Sequence, residues 1–124
     1  PAVEGDLTRL RQALTGILQN AVKFTPAGGE VKALLHSHIS YVAIRIEDNG
    51  VGMSETDVEV VTRPFHRLRS ALDGKHQGAG LGLPFAKAIV DLHGGSLEIK
   101  SAPGAGTVVE SRLPALSAKM SDAA

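Results

Sequence analysis

The sequence predicts an α/β two-layer sandwich, in which a mostly antiparallel mixed sheet is covered on one face by helices. Apolar residues recur at helical spacing in two long segments, within residues 7–21 and 82–93. Two pairs of short segments with strand-like alternation, within 31–46 and 97–113, are each joined by a short connection and indicate hairpins. Because helices and hairpins are segregated along the chain, a doubly wound parallel sheet is disfavoured.

Length and composition indicate one domain without an extended charged surface. The chain has 124 residues, and we assign 1–116 to the domain and 117–124, a run of small and polar residues, to a flexible tail. Thirteen Lys and Arg residues balance thirteen Asp and Glu residues, so nucleic acid is not an expected partner. We expect the isolated chain to be a monomer.

Three further features bear on the compartment. The chain has no cysteine, as is common in a reducing compartment, so a cytoplasmic location is expected. No apolar run approaches the roughly 20 residues of a membrane span, and no direct membrane contact is expected. The chain begins with Pro1 rather than Met, which suggests a piece of a longer protein.

The first helix is predicted to begin after Asp6, a favourable N-cap residue. The helical pattern ends at Thr25-Pro26 and Gly28-Gly29. Its apolar positions are Leu7, Leu10, Leu14, Ile17, Leu18 and Ala21. The next two segments, Val31 to Leu35 and Tyr41 to Ile46, are predicted strands of a hairpin.

The second half contains a short helix, a long loop, a long helix and a second hairpin. Met53 to Val60 is the predicted short helix, and residues 62–77 lack any periodicity and are predicted to form a loop. The long helix is predicted over Gly82 to His93, with Pro84 in its first turn and glycines after its end. The second hairpin comprises a strand around 97–99 and a strand over 107–113, joined by a Pro-Gly-Ala-Gly turn.

Gly16, Asn20 and Lys23 lie within about 60° of one another on the wheel of the first helix and border its apolar stripe. Asn is a poor helix former, so Asn20 beside the core needs either a backbone partner or a ligand. An amide oxygen suits Mg²⁺ that is already held by phosphates and water. Lys23 is either a solvated surface residue or a contact for a phosphate.

Asp48 ends the second predicted strand and is followed by Asn49-Gly50-Val51-Gly52. One interpretation is an ordinary turn that is preceded by an acidic residue. The other is a carboxylate that accepts a hydrogen bond from an exocyclic amine such as adenine N6, with Gly50 and Gly52 allowing backbone to approach the ring.

Gly78, Gly80 and Gly82 lie directly before the predicted helix that contains Pro84. Free N–H groups and the helix dipole favour an anion there, although the glycines would also suit a flexible turn into the helix. The segment lacks the strand that precedes a dinucleotide fingerprint. It also contains no Walker A pattern, so phosphate binding would need another geometry.

Residues 61–77 carry a local excess of basic residues: Arg63, Arg67, Arg69 and Lys75 stand against the single acid Asp73. The interpretation without a specific function is a solvated loop. The alternative is a mobile lid that closes on a triphosphate, with Phe65 docking it onto the domain. None of the five histidines has paired-ligand spacing, so we assign none of them a metal or nucleophilic role.

Taken together, four segments resemble the N, G1, F and G2 boxes of the catalytic ATP-binding domain of bacterial sensor histidine kinases, a family related to DNA gyrase B and Hsp90. The segments are residues 20–24, 47–52, 63–68 and 78–83. The resemblance extends over about residues 6–113. It implies a Bergerat fold, an α/β sandwich with Mg-ATP between the helices and a flexible lid, and a protein histidine kinase activity.

The resemblance also implies a role for each matched residue. Asn20 would be the Mg²⁺ ligand, Lys23 and Arg67 would contact phosphates, and these three would be the catalytic residues. Asp48 would accept the adenine amine, with Thr107 behind it. The remaining nucleotide-binding positions would be Gly50, Gly52, Phe65, Gly78, Gly80, Leu81 and Gly82. The implied partners are a dimerisation domain of the same parent protein, which carries the phosphoacceptor histidine, and a downstream response regulator.

One departure from the family pattern is Gly16, which stands where the kinase branch often has a second Asn and the hydrolytic branch has a Glu base. Glycine cannot activate water, and general-base help is typically worth about 10²–10⁴-fold in rate. Rapid ATP hydrolysis is therefore not expected. The alternative to a kinase is a degenerate pseudokinase or a nucleotide-responsive binding module without phosphotransfer. The phosphoacceptor histidine segment is itself absent from the chain.

Overall fold

The computed structural model describes residues 2–63 and 82–116 of the chain. The helices are α1 (Leu7–Lys23), α2 (Glu55–Thr62) and α3 (Gly82–Leu92), and the strands are β1 (Val31–Ser37), β2 (Tyr41–Asp48), β3 (Ser96–Ser101) and β4 (Thr107–Pro114). The four strands form one sheet in the order β1-β2-β4-β3, and each neighbouring pair is antiparallel. The predicted fold class, an antiparallel sheet covered by helices, is confirmed.

The first helix begins as the sequence predicts. The Asp6 carboxylate accepts a hydrogen bond from the Arg9 N–H at 3.1 Å, which satisfies one of the free donors of the first turn. Ala13, Ile17 and Ala21 form its buried face. Leu7, which shares the apolar periodicity, is 69% exposed, so the apolar stripe is wider than the face that packs.

One face of the sheet forms the core with the helices. Buried residues alternate along β4, and the strand register places Ile46 opposite Val109 and Val109 opposite Ile99. α1 and α3 pack against each other and against this face, where Leu83 and Ala86 of α3 are fully buried. The core therefore lies between one sheet face and the two long helices.

The predicted boundaries differ from the observed ones by up to two residues. Ser54 caps α2 by accepting from the Asp57 N–H at 3.1 Å, so this helix begins two residues later than predicted and continues to Thr62. The strands of the first hairpin each extend two residues further, to Ser37 and Asp48. The two strands pair from Val31 opposite Asp48 to Ser37 opposite Val42, and local sequence patterns do not show how far such pairing extends.

The end of α3 is tied to the start of α1 by His93. Its Nε2 accepts a hydrogen bond from the Asp6 N–H at 3.0 Å, so Nδ1 carries the proton and donates to the Ile89 carbonyl at 2.8 Å. Among the described residues, no helix is both long and apolar enough to cross a membrane. The predicted loop over 62–77 falls mostly outside the described residues, as does the tail over 117–124.

Candidate functional site

Three polar side chains form a row at one end of the sheet. Asp48 is the last residue of β2, Thr107 is the first of β4 and Ser101 is the last of β3. The register pairs Asp48 with Thr107 and Thr107 with Ser101. Directly opposed residues lie on the same face of a sheet, and side chains alternate along each strand, so the row shares the helix-covered face with Ile46 and Val109.

Asp48 is partly buried, and only one of its carboxylate oxygens is used within the described residues. Oδ1 accepts a hydrogen bond from the Gly50 N–H at 2.9 Å. Oδ2 makes no hydrogen bond to any residue that the structure describes. An ionised carboxylate only accepts, so Asp48 offers a free acceptor at the end of the sheet.

The glycines after Asp48 are required by packing within the protein. A Cβ on Gly50 would stand 2.1 Å from the Phe24 carbonyl oxygen, and one on Gly52 would stand 1.9 Å from the Ala102 carbonyl oxygen. Gly52 also has φ +73°, which side chains rarely adopt. The absent Cβ atoms therefore make room for the chain's own backbone, while the role of these glycines as a wall of a base pocket stays a prediction.

Ser101 joins three segments and was not identified from the sequence. Its Oγ accepts from the Met53 N–H at 2.7 Å, donates to the Gly106 carbonyl at 2.8 Å and lies 2.8 Å from Thr107 Oγ1. Thr107 itself is only 7% exposed. The signal that could have identified Ser101 is the strand register, which places it directly opposite Thr107 across the glycine-rich turn.

Asn20 lies on α1 between two contacts that α1 makes with other segments. One turn after it, the Phe24 carbonyl accepts from the Val51 N–H at 3.1 Å, so the end of α1 contacts the turn that follows Asp48. One turn before it, Gly16 touches Gly82 at the start of α3. The half-buried Asn20 side chain makes no hydrogen bond to another described residue, so no internal partner explains its position.

The contact between Gly16 and Gly82 is a direct approach of two backbones. A Cβ on Gly16 would lie 2.9 Å from the Gly82 carbonyl oxygen, and a Cβ on Gly82 would lie 2.7 Å from the Gly16 carbonyl oxygen. Neither contact could be relieved by moving a flexible side chain, because both opposing atoms are backbone. The first residue of α3 is therefore held against the middle of α1.

Lys23 ends α1 and is exposed, with its Nζ 5.4 Å from the centroid of the Phe24 ring. No ion pair to it is made by another described residue. Its ammonium group is thus free to meet an anion near the turns around Asp48 and Phe24. The other predicted site residues, Phe65, Arg67, Gly78, Gly80 and Leu81, lie outside the described residues.

A shallow cavity of about 330 Å³ lies at the opposite end of the sheet, where β2 begins and β4 ends. It is lined in part by Tyr41, Gly95 and Arg112, and by none of the predicted site residues that lie in the described ranges. The hydrogen bond from Arg112 Nε to Glu110 raises the pKa of the guanidinium, so this arginine remains charged. The cavity is separate from the row at Asp48.

Comparisons with known proteins agree on one family. The profile of the family described as "Histidine kinase-, DNA gyrase B-, and HSP90-like ATPase" matches residues 5–117. Histidine protein kinase DivJ of Caulobacter vibrioides is 41% identical over 118 residues, which are 95% of this chain and 20% of that protein. The cell-division control histidine kinase PdhS of Brucella abortus is 37% identical over 123 residues, covering 92% of this chain and 12% of that protein.

Solved structures show the same similarity. The mycobacterial sensor histidine kinase MprB has a TM-score of 0.72 and 32% identity, covering 90% of this chain and 74% of that one. The catalytic domain of histidine kinase ThkA has a TM-score of 0.73 and 28% identity, covering 90% and 71%. The chain thus spans a fifth or less of the length of the curated relatives named above, and 74% and 71% of the two solved chains.

Proposed function

The chain belongs to the family of histidine kinase-, DNA gyrase B- and HSP90-like ATPases, and from that premise we propose that it is the catalytic module of a two-component sensor kinase. In this proposal it binds Mg-ATP and delivers the γ-phosphoryl group to a histidine on a dimerisation domain of its parent protein. A response regulator then receives the group, and the module works in the cytoplasm. The observation that carries the proposal is the placement of Asn20 between the Asp48 turn and the start of α3.

Base recognition is assigned to the row at the end of the sheet. Asp48 Oδ2 would accept a hydrogen bond from the N6 amine of adenine, and Thr107 would stand behind the base. The support is that this oxygen makes no hydrogen bond within the described residues. This oxygen is not among the buried unpaired atoms of the described residues, so water can satisfy it in the free chain and a ligand donor can take the place of that water.

The residues present fit a magnesium ion that is held mainly by its nucleotide. Asn20 offers a neutral amide oxygen, which is a suitable hard ligand, and its side chain is not used by any other described residue. No group of three or more His, Asp or Glu residues that could hold a metal occurs in the described ranges, so phosphates and water would supply most ligands. When bound, Mg²⁺ would offset phosphate charge and fix the geometry of the triphosphate.

The chain's own residues would then position the phosphates for transfer. Lys23 would contact a phosphate, as would Arg67, and the free N–H groups at the start of α3 would neutralise further charge. A neutral imidazole nitrogen of the phosphoacceptor would attack the γ-phosphorus, and the N–P bond forms as the bond to the ADP oxygen breaks. Gly16 supplies no base, but an imidazole lone pair needs none.

A second candidate function is a nucleotide-responsive module without phosphotransfer. The observation in its favour is Gly16, because this residue cannot ligate a metal or activate water. In that case the chain would bind Mg-ATP, and binding would change its association with a partner, but no phosphohistidine would form.

Label transfer distinguishes the two functions. The chain is mixed with the dimerisation domain of its parent protein and ATP labelled at the γ-phosphate, and acid-labile, base-stable label on the dimerisation domain is the expected result. Asp48→Ala is the matched control and should reduce transfer by about 10–100-fold at ATP concentrations below saturation. Complete absence of label with the wild-type chain, when calorimetry shows that it binds both Mg-ATP and the dimerisation domain, would refute the kinase and favour the second function.

A further inference from the structure

The hydroxyl of Ser101 has three hydrogen-bonding neighbours, and only one arrangement of protons satisfies all three contacts at once. The Met53 N–H can only donate and the Gly106 carbonyl can only accept. The Ser101 hydroxyl has a single proton. If it donates that proton to the Gly106 carbonyl, its contact with Thr107 Oγ1 is a hydrogen bond only when the Thr107 hydroxyl donates. All three contacts are therefore satisfied together only when the Thr107 proton points at Ser101.

This arrangement makes Thr107 an acceptor toward the rest of the row. Its Oγ1 has no other hydrogen bond within the described residues, and its proton is already used. Asp48, directly opposite it in the strand register, is also an acceptor. The end of the sheet thus presents two neighbouring acceptors and no side-chain donor from the row.

We propose that Ser101 is a specificity-determining positioning residue, which selects purines with a 6-amino group by holding the Thr107 hydroxyl as an acceptor. This inference rests on the proposed function, because it assumes that a nucleotide base lies at the row. A 6-amino group brings donors to the two acceptors. A 6-oxo group, as in hypoxanthine or guanine, places a third acceptor where the 6-amino donors would stand, and the N1–H of these bases is the only donor left beside it.

The test compares ATP with inosine triphosphate, in which a carbonyl replaces the 6-amino group and N1 carries a proton, while the sugar and the triphosphate are unchanged. Binding of each to the whole chain is measured by calorimetry with Mg²⁺ present. We expect the wild-type chain to prefer ATP by at least about tenfold. Ser101→Ala frees the Thr107 proton to rotate toward a 6-oxo group, so the preference should fall by about fivefold or more.

Two controls separate specificity from general damage. Ser101→Thr keeps the hydroxyl and should retain the wild-type preference. Ser111→Ala removes the same kind of group from the neighbouring strand, where the Ser111 hydroxyl has no partner among the described residues, and it should also leave the preference unchanged. If Ser101→Ala does not fold, Thr107→Val removes the acceptor without breaking the contacts with Met53 and Gly106, and it should lower the preference in the same way.

The outcomes are distinct. If Ser101→Ala weakens binding of both nucleotides equally and keeps their ratio, Ser101 has a structural role only and the inference is overturned. If Thr107→Val keeps the wild-type ratio of ATP affinity to inosine triphosphate affinity, the inference is overturned as well. If the wild-type chain binds neither nucleotide, the proposed function itself fails, which is a different result.

Discussion

At the scale of single residues, the proposed site depends on side-chain atoms that make no hydrogen bond to any other residue that the structure describes. Asn20 and one oxygen of Asp48 make no hydrogen bonds with other described residues, although both residues are partly buried. Neither side chain has an atom among the buried unpaired ones of the described residues, so water can satisfy both in the free chain and a ligand can replace that water. In the proposed function the two side chains act on different parts of the nucleotide.

Replacing each of these two side chains should have a different effect on nucleotide binding. Asn20→Ala should weaken Mg-ATP binding by about tenfold or more, but should change binding of metal-free ADP little, because a metal ligand matters only when the metal is present. Asp48→Ala should weaken both by about 10–100-fold, since it removes a hydrogen bond to a charged group. Calorimetry with each ligand measures this, and equal effects of Asn20→Ala on the two ligands would contradict the assignment.

Two serines of the sheet should respond in opposite directions to the same substitution. Ser111 is 2% exposed, and its hydroxyl has no partner among the described residues. Ser111→Ala should therefore stabilise the chain by about 1 kcal/mol. Ser101→Ala leaves the Met53 N–H and the Gly106 carbonyl unpaired and should destabilise it by about 1–3 kcal/mol. Urea unfolding of both variants gives the comparison, and a loss of stability in Ser111→Ala would show that its hydroxyl has a partner after all.

At the scale of elements, the contact between α1 and α3 depends on glycine in both helices. Alanine normally stabilises a helix interior relative to glycine by about 1 kcal/mol. A Cβ at position 16, however, would lie 2.9 Å from a backbone oxygen of Gly82, and the opposing helix would have to move. This steric cost should exceed the gain in helix propensity.

Gly16→Ala should therefore lower the free energy of unfolding by about 1–3 kcal/mol. It should also weaken Mg-ATP binding, because in the proposed function the N–H groups at the start of α3 face the phosphates. Gln19→Ala is the control, since Gln19 is exposed on the same helix and its replacement should be neutral or slightly stabilising. Thermal unfolding and nucleotide titration of both variants would check this. A Gly16→Ala chain that is more stable than wild type would show that α3 can move at no cost.

The elements themselves could largely be predicted from the sequence, because their signals are local. Asp6 and the periodic apolar residues of α1 predict the helix and its start, and the alternation of Val42, Ile44 and Ile46 predicts the strand that the structure shows as β2. Ser101 could not be identified in the same way, since its importance depends on the register of β3 against β4. Likewise, the reason for glycine at 50 and 52 is packing against Phe24 and Ala102, which the linear sequence does not show.

At the scale of the whole molecule, the family match extends over residues 5–117, and the proposed function places a nucleotide site there without a phosphoacceptor histidine segment of the kind the family uses. We therefore expect the isolated chain to bind Mg-ATP and to hydrolyse it slowly, because Gly16 removes the position from which a general base would act. Steady-state phosphate release measures this turnover. Rapid hydrolysis by the chain alone would contradict the role given to Gly16. It would also contradict the proposal that the phosphoryl group is transferred to a dimerisation domain rather than to water.

The mutual approach of Gly16 and Gly82 also has an evolutionary consequence. A larger residue at either position collides with the main chain of the other helix, so neither glycine can be exchanged alone without a penalty. An asparagine at position 16, like any side chain larger than glycine, would require α3 to shift away from α1. The two positions are thus coupled, and we expect the penalty for a larger residue at one of them to fall when other substitutions let the helices move apart.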